Sequence, residues 1–191
     1  MNKLKQRIME EASVISNDVL GMDAFLNHQV DPELTLEMGQ QFASLFGEQN
    51  ITKVITIESS GIAVAFATAV ALGVPLVFAR RKKTLMGDTE VYTERVPSFT
   101  KGMVTDIMVS KPFLTEDDNV LFIDDIIANG DAARGLIKII ERSGAELVGI
   151  GIVVEKSFQA GGKSLRESGI RVESLVKIAS LHDGVISFEQ D

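Results

Sequence analysis

The residues of this chain best placed to do chemistry are two adjacent carboxylates, Asp124 and Asp125, which close the apolar run Val120 to Ile123 and precede the small turn Ala128-Asn129-Gly130. Ionised carboxylates only accept hydrogen bonds, so an adjacent pair suits the paired hydroxyls of a sugar diol. Successive amides of a small-residue turn that opens a helix can converge on one anion, and the helix dipole favours negative charge there. Ala128, Asn129, Gly130, Asp131 and Ala132 are therefore expected to cradle a phosphate, with the acids holding hydroxyls beside it. Both together fit a ribose 5-phosphate. Asp131 adds a negative charge where an anion is expected, and the turn offers no hydroxyl donor, so the cradle must rest on backbone amides. The Asp131 carboxylate is expected to turn away and cap the helix backbone. The plainer alternative is a buried strand with a polar turn into a helix.

Three further clusters follow apolar runs. Glu58-Ser59-Ser60-Gly61 offers amides and hydroxyls to an anion, with Gly61 allowing close approach. Arg80-Arg81-Lys82-Lys83 gathers four cations in a chain of net charge −8, as a pyrophosphate would require. Glu155-Lys156-Ser157-Phe158 places an ammonium beside an aromatic ring: Lys156 for an acceptor oxygen, Phe158 for stacking on a planar ring. Near the amino end, Leu20 and the run Phe25 to Gln29 supply apolar contact and, in Asn27, an amide that both donates and accepts.

The elements that must position these groups alternate. Asn2 to Glu11 reads as a short helix, and 12–30 as irregular strand and loop. Asp31-Pro32 starts a helix, an N-cap followed by proline, which runs through Leu36, Phe42 and Phe46 and stops at Gly47. Val54 to Ile57, a helix over 62–72 and Pro75 to Ala79 form a strand-helix-strand unit, which implies parallel strands. The stretch 84–89 is polar and turn-like, and a hairpin around Lys101-Gly102 joins strands near 91–99 and 105–109. After the Asp124 strand comes a helix from Asp131, with Ala132, Ala133, Leu136, Ile139 and Ile140 on one face. Strands over 146–154 and 171–178 follow, with a helical turn at 164–168 between them. In open sheets of this kind ligands bind beyond the carboxyl ends of the strands, where the strand order reverses.

At 191 residues the chain is expected to be one α/β domain with a sizeable core. Its net charge of −8 argues against a nucleic-acid or anionic-membrane surface. The absence of cysteine excludes disulfides and thiolate chemistry, and a charged amino end with no long apolar run points to a soluble, cytoplasmic protein.

The apolar run, Asp-Asp and small-polar-Gly turn resemble the signature of type I phosphoribosyltransferases. That family's loop usually reads Thr-Gly-Gly-Thr; Ala128-Asn129-Gly130 instead resembles the loop of its members that use xanthine in bacterial purine salvage. Phe25 to Gln29, Ile57 to Ala63, Phe78 to Arg80 and Gly149 to Phe158 are similar to that branch as well. The resemblance implies a mainly parallel sheet flanked by helices, with residues 1–30 forming a hood over the base. It implies transfer of a phosphoribosyl group from phosphoribosyl pyrophosphate to xanthine, with Mg2+ held mainly through the substrate, in a homodimer. It implies that Asp124 and Asp125 hold the ribose, 128–132 its phosphate, Glu58, Ser59, Ser60 and Arg80 the pyrophosphate, and Leu20, Asn27 and Lys156 the base. It places a flexible lid at 84–97. Two rivals stay open: a transferase for hypoxanthine or guanine, and a non-catalytic sensor of phosphoribosyl pyrophosphate. The lack of a basic face, and of spare length before Asn2, weighs against the sensor.

Overall fold

The computed structural model describes residues 1–81, 90–98 and 103–189. Helix α1 (Asn2–Glu11) leads into a small antiparallel hairpin, β1 (Ser13–Ser16) and β2 (Val19–Gly21), and a π-helical turn, Asp23–Asn27. Helix α2 (Pro32–Phe46) begins as its sequence demands: Asp31 accepts from the Leu34 amide at 3.0 Å, and Pro32 needs no partner in the first turn. Its buried face is Leu34, Met38, Phe42 and Phe46. Leu36, within the helix as the sequence reading has it, is 51 % exposed, because the i, i+4 row from Leu34 to Phe42 leaves it a half-turn away.

The central sheet takes its chemistry from strand order. β3 (Lys53–Ile57), α3 (Ile62–Leu72) and β4 (Leu76–Ala79) form the expected parallel unit, with β4 at the sheet edge. The chain then makes an antiparallel ribbon, β5 (Val91–Ser98) with β6 (Met103–Ser110), and returns on the other side of β3 as β7 (Asn119–Ile127). Beyond β7 lie β8 (Glu146–Lys156), β9 (Val172–His182) and β10 (Val185–Phe188), giving the order β10-β9-β8-β7-β3-β4. All neighbours are parallel except β10 on β9. The order reverses between β3 and β7, so the carboxyl ends of those two strands border the crevice.

Helix α4 (Asp131–Ser143) follows β7, and α5 (Gly161–Glu167) follows β8. One core layer joins Leu4, Ile8, Phe42, Phe46, Val64, Leu121 and Ile123; the other joins Ile55, Phe122, Leu136, Ile139, Ile150 and Leu165. The ribbon is pinned to α4, where Arg142 donates to the Thr93 carbonyl at 2.6 Å and Lys138 pairs with Glu94 at 3.2 Å.

Three differences from the sequence reading matter. β7 continues through the acids to Ile127, because pairing with β8 holds the backbone extended past the apolar run: Asp124 lies opposite Ile152 and Ile127 opposite Glu155. Strand β10 was not foreseen, although Asp183-Gly184, at φ 50° and 77°, carries the local signature of a tight hairpin turn. Of the lid placed at 84–97, residues 91–97 are a paired ribbon strand; 84–89 lie outside the described residues, as do Lys82, Lys83 and the Lys101-Gly102 turn.

Candidate active site

The reversal of strand order opens a cavity of about 260 Å³. β3 supplies Ile57, with Glu58 and Ser60 just beyond it; β7 supplies Asp124 to Ile127; the turn and first residues of α4 supply 128 to 133. Val96 and Pro97 of the ribbon, Ile152 of β8 and Arg81 complete the lining.

Asp124 is half-buried and Asp125 is 3 % exposed, yet both line this cavity rather than the core. The Asp125 amide donates to Asp124 Oδ1 at 3.0 Å, and the Ser60 hydroxyl donates to Asp125 Oδ1 at 2.9 Å, fastening the turn after β3 to β7. Burial and the neighbouring Asp125 charge push the Asp124 carboxyl well above the usual carboxylate range. Burial also raises Asp125, against the opposing pull of the Ser60 hydrogen bond. The cavity holds one buried and one half-buried acid, side by side, whose charge is poorly solvated until something positive or donating arrives.

Gly130 stands at φ 81°, a left-handed conformation that lets the chain turn sharply from strand to helix. Behind it, the Gly161 amide donates to the Ala128 carbonyl at 2.9 Å, and a Cβ on Gly161 would sit 2.4 Å from that oxygen and 2.8 Å from the Gly130 nitrogen. The loop is thus pressed against the start of α5. Asp131 does not cap the helix backbone; its carboxylate pairs with Arg134, one turn on, at 2.8 Å. That spacing is a standard opposite-charge pair on a helix.

The remaining site residues divide. Glu58 spends its carboxylate on the chain: Oε1 accepts the Arg81 amide at 2.6 Å, and Oε2 lies 3.6 Å from Arg80 Nε. Arg81, not Arg80, lines the cavity, and Arg80 borders a separate groove with Phe78 and Phe113. Ser59 is exposed beside Ser60. The Glu58–Ser59 peptide is cis.

Lys156, Leu20, Asn27 and Phe158 do not line the cavity. Lys156 is buried at the end of β8 and donates to the Asp18 carbonyl at 2.7 Å, while Gln159 reaches the Asp18 carboxylate at 3.4 Å. Burial lowers the Lys156 ammonium pKa, partly offset by the charge of Asp18. These contacts dock the β1–β2 hairpin, which carries Leu20, onto the end of β8. Asn27 ends the π-helical turn with an exposed side chain, and Phe158 is 38 % exposed.

Arg134 and Gly161 had no assigned role in the sequence reading, and Arg81 had one only as a member of the cationic run 80–83. Arg134 was findable from its spacing to Asp131; Gly161 carries no local signal, since its neighbour lies some thirty residues away in the chain.

Among the described residues, no three His, Cys, Asp or Glu side chains converge to hold a metal by themselves. The described lining of the cavity nevertheless carries Glu58, Asp124, Asp125 and Asp131 against one arginine. Hard oxygen donors in excess, too few for a closed cage, fit a magnesium ion that takes most of its ligands from substrate and water.

Comparison with known proteins gives the family of the chain. The description "Phosphoribosyl transferase domain" matches residues 32–179. The xanthine phosphoribosyltransferase of Bacillus cytotoxicus is 54 % identical over 190 residues, covering 100 % of this chain and 96 % of that protein. That of Bacillus licheniformis is 53 % identical over 191 residues, with 98 % of it covered. Among solved structures, adenine phosphoribosyltransferase from Rhodothermus marinus superposes with a TM-score of 0.74 at 26 % identity, over 92 % of this chain and 97 % of that one. The Trypanosoma brucei enzyme, at 20 % identity, shares the fold with a TM-score of 0.76 over 91 % of this chain and 79 % of that one. With the acid pair and glycine turn facing one cavity at the reversal point, and a match spanning most of its length, the chain belongs to the phosphoribosyl transferase domain family.

Proposed function

We propose that the chain is a xanthine phosphoribosyltransferase of purine salvage. It joins a ring nitrogen of xanthine to C1 of phosphoribosyl pyrophosphate, and pyrophosphate leaves as xanthosine 5′-monophosphate forms. The observation that carries the reading is the single cavity in which the carboxylate pair faces the glycine turn; full-length relatives named for xanthine support the choice of base. As the bond to pyrophosphate breaks, the ribose gains positive charge, which two carboxylates beneath it stabilise. Asp124 and Asp125 hold the ribose, the amides of 128–132 hold its 5-phosphate, and Ser59, Ser60 and Arg81 stand nearest the leaving group. Arg80 has a secondary place there, through Glu58. A magnesium ion, when bound, would neutralise the pyrophosphate, with Asp124 and Asp125 as its protein neighbours. Most of the remaining task is orientation.

The base is received under the hood formed by residues 1–30, where Leu20 and Phe158 offer apolar contact and Asn27 and Lys156 hydrogen bonds. The chain forms one domain, works as a homodimer and is cytoplasmic; among its described residues no helix is long and apolar enough to cross a membrane.

Pyrophosphate release measured in competition across xanthine, guanine, hypoxanthine and adenine tests the reading directly. Turnover fastest with another base rejects the specificity; binding of phosphoribosyl pyrophosphate without turnover rejects the enzyme. A finer test concerns Lys156, since xanthine carries a 2-oxo group that hypoxanthine lacks. Lys156→Ala is expected to lower kcat/KM with xanthine by about tenfold to a hundredfold, and far less with hypoxanthine. Equal losses would remove the lysine from base selection.

The backing of the loop gives another expectation. Gly161→Ala forces a methyl against the Ala128 carbonyl and the Gly130 nitrogen, both backbone atoms with little room to yield. The KM for phosphoribosyl pyrophosphate should rise by at least about tenfold, because a displaced cradle costs much at small shifts. Steady-state kinetics showing an unchanged KM would mean the loop and α5 move apart freely.

A further inference from the structure

Among the described residues, the proposed phosphate loop has little positive charge facing it. Asp131 sits on it, and Arg81 is the one basic side chain among the described residues lining the cavity. Arg134, which stands behind the loop on α4, meets that deficit. Its Nη2 donates to the Asn129 carbonyl at 2.6 Å and to Asp131 Oδ1 at 2.8 Å, and Nη1 reaches the Ser164 hydroxyl of α5 at 3.3 Å.

Two consequences follow from elementary geometry and charge. In a planar trans peptide the carbonyl and the following amide point in opposite directions. Holding the Asn129 oxygen at Arg134 therefore turns the Gly130 amide away from Arg134, and the Gly161 bond to the Ala128 oxygen turns the Asn129 amide away from Gly161. The guanidinium also neutralises Asp131, whose free carboxylate would repel a phosphate bound to the neighbouring amides. A planar guanidinium spans several acceptors at once, which a lysine ammonium on its flexible stem does less well.

We propose that Arg134 is a positioning residue for phosphoribosyl pyrophosphate: it fixes the orientation of the loop amides and cancels the charge of Asp131, so that an acidic loop binds an anion. The proposal rests on reading 128–132 as the 5-phosphate cradle. Because the Arg134 side chain is 43 % exposed, its removal leaves the core intact.

The test is steady-state kinetics with xanthine and phosphoribosyl pyrophosphate, alongside calorimetric titration of phosphoribosyl pyrophosphate. The variants are Arg134→Met, Arg134→Lys, and Arg134→Met combined with Asp131→Asn. Loss of charge-assisted hydrogen bonds should raise the KM for phosphoribosyl pyrophosphate about tenfold or more in Arg134→Met, with the KM for xanthine changed less than about threefold. Arg134→Lys should recover part of the loss, and adding Asp131→Asn to Arg134→Met should recover a further part. An unchanged KM for phosphoribosyl pyrophosphate, or equal rises in both KM values, overturns the role of Arg134. No recovery on adding Asp131→Asn overturns the charge-cancelling half of it. Failure of the unaltered chain to bind phosphoribosyl pyrophosphate would instead strike at the cradle reading, and the titration separates the two.

Discussion

Asp124→Asn and Asp125→Asn are each expected to lower kcat/KM by about two orders of magnitude or more while making the protein more stable at neutral pH. Both effects have one cause. The folded chain buries two acids side by side, and burial raises both above the usual carboxylate range. Between the ordinary and the raised values the folded state binds more protons than the unfolded state, so stability falls as pH rises through that interval. The penalty grows with every step of pH beyond the ordinary carboxylate range, and above the interval it is fully present. Asparagine removes the charge but keeps the oxygen that accepts from the Asp125 amide or the Ser60 hydroxyl. The gain should be about 1 kcal/mol, a rise of roughly 2–4 °C in Tm for a chain of this size. It should shrink as pH falls and the wild-type acids protonate. Kinetics run the other way: the wild-type kcat/KM should climb with pH as the pair ionises, and that limb should weaken in either variant. Thermal melts and kinetics across the same pH series would decide it. A variant both active and stabilised would show that the pair is not the ribose-binding group; one that is inactive and destabilised would assign it to the framework.

Arg166→Met is expected to cost about 3–5 kcal/mol of stability, the toll of leaving a buried charge unpaired. Glu155 is 3 % exposed beneath α5 and receives both arms of Arg166, Nη1 to Oε1 at 2.7 Å and Nη2 to Oε2 at 2.6 Å, together with the Ser174 hydroxyl. A Cβ at Gly162 would strike Glu155 Oε1, so the helix lies directly on the carboxylate. Burial alone would raise the Glu155 pKa; the Arg166 and Ser174 hydrogen bonds outweigh it and hold the pKa low. The wild-type pair therefore stabilises the fold above the ordinary carboxylate range, and its contribution is lost as pH falls through the lowered pKa. Without Arg166 burial dominates, the pKa shifts upward, and stability instead falls with rising pH. The gap between the two proteins should open from acid to neutral pH in denaturant titrations. Adding Glu155→Gln to Arg166→Met should restore much of the loss; if it does not, packing of the arginine stem rather than the orphaned charge is responsible. Because α5 backs the turn 128–130 through Gly161, and that turn is the proposed phosphate cradle, the single variant should also bind phosphoribosyl pyrophosphate less well.

Much of this architecture was legible in the chain because its signals are local. Asp31-Pro32 and Gly47 delimit α2, Gly73 at φ 70° ends α3, and the apolar stripe from Ala133 to Ile140 identifies α4. Where neighbours in space override neighbours in sequence, the reading fell short. β7 runs past its apolar residues because β8 pairs with it, and β10 was not foreseen because its place is set by pairing with β9. The candidate site divides along the same line. The acid pair and glycine turn declare themselves by residue type at adjacent positions. The choice of Arg81 over Arg80 turns on which side of the end of β4 each side chain leaves, and no pattern of charges encodes that.

What the sequence determined alone was chemistry in short range: two carboxylates, a turn of small residues, a helix start and a crossover that makes strands parallel. Periodicity and turn residues act over a few positions, so they are readable one segment at a time. The tertiary structure decided which of these meet. It set Ser60 against Asp125, Gly161 against the turn 128–130, and Lys156 against the amino-terminal hairpin. It also brought Arg134 against Asp131 and the Asn129 carbonyl. Those contacts join residues brought together by strand order and helix packing, and their energies depend on burial that exists only once the sheet has closed.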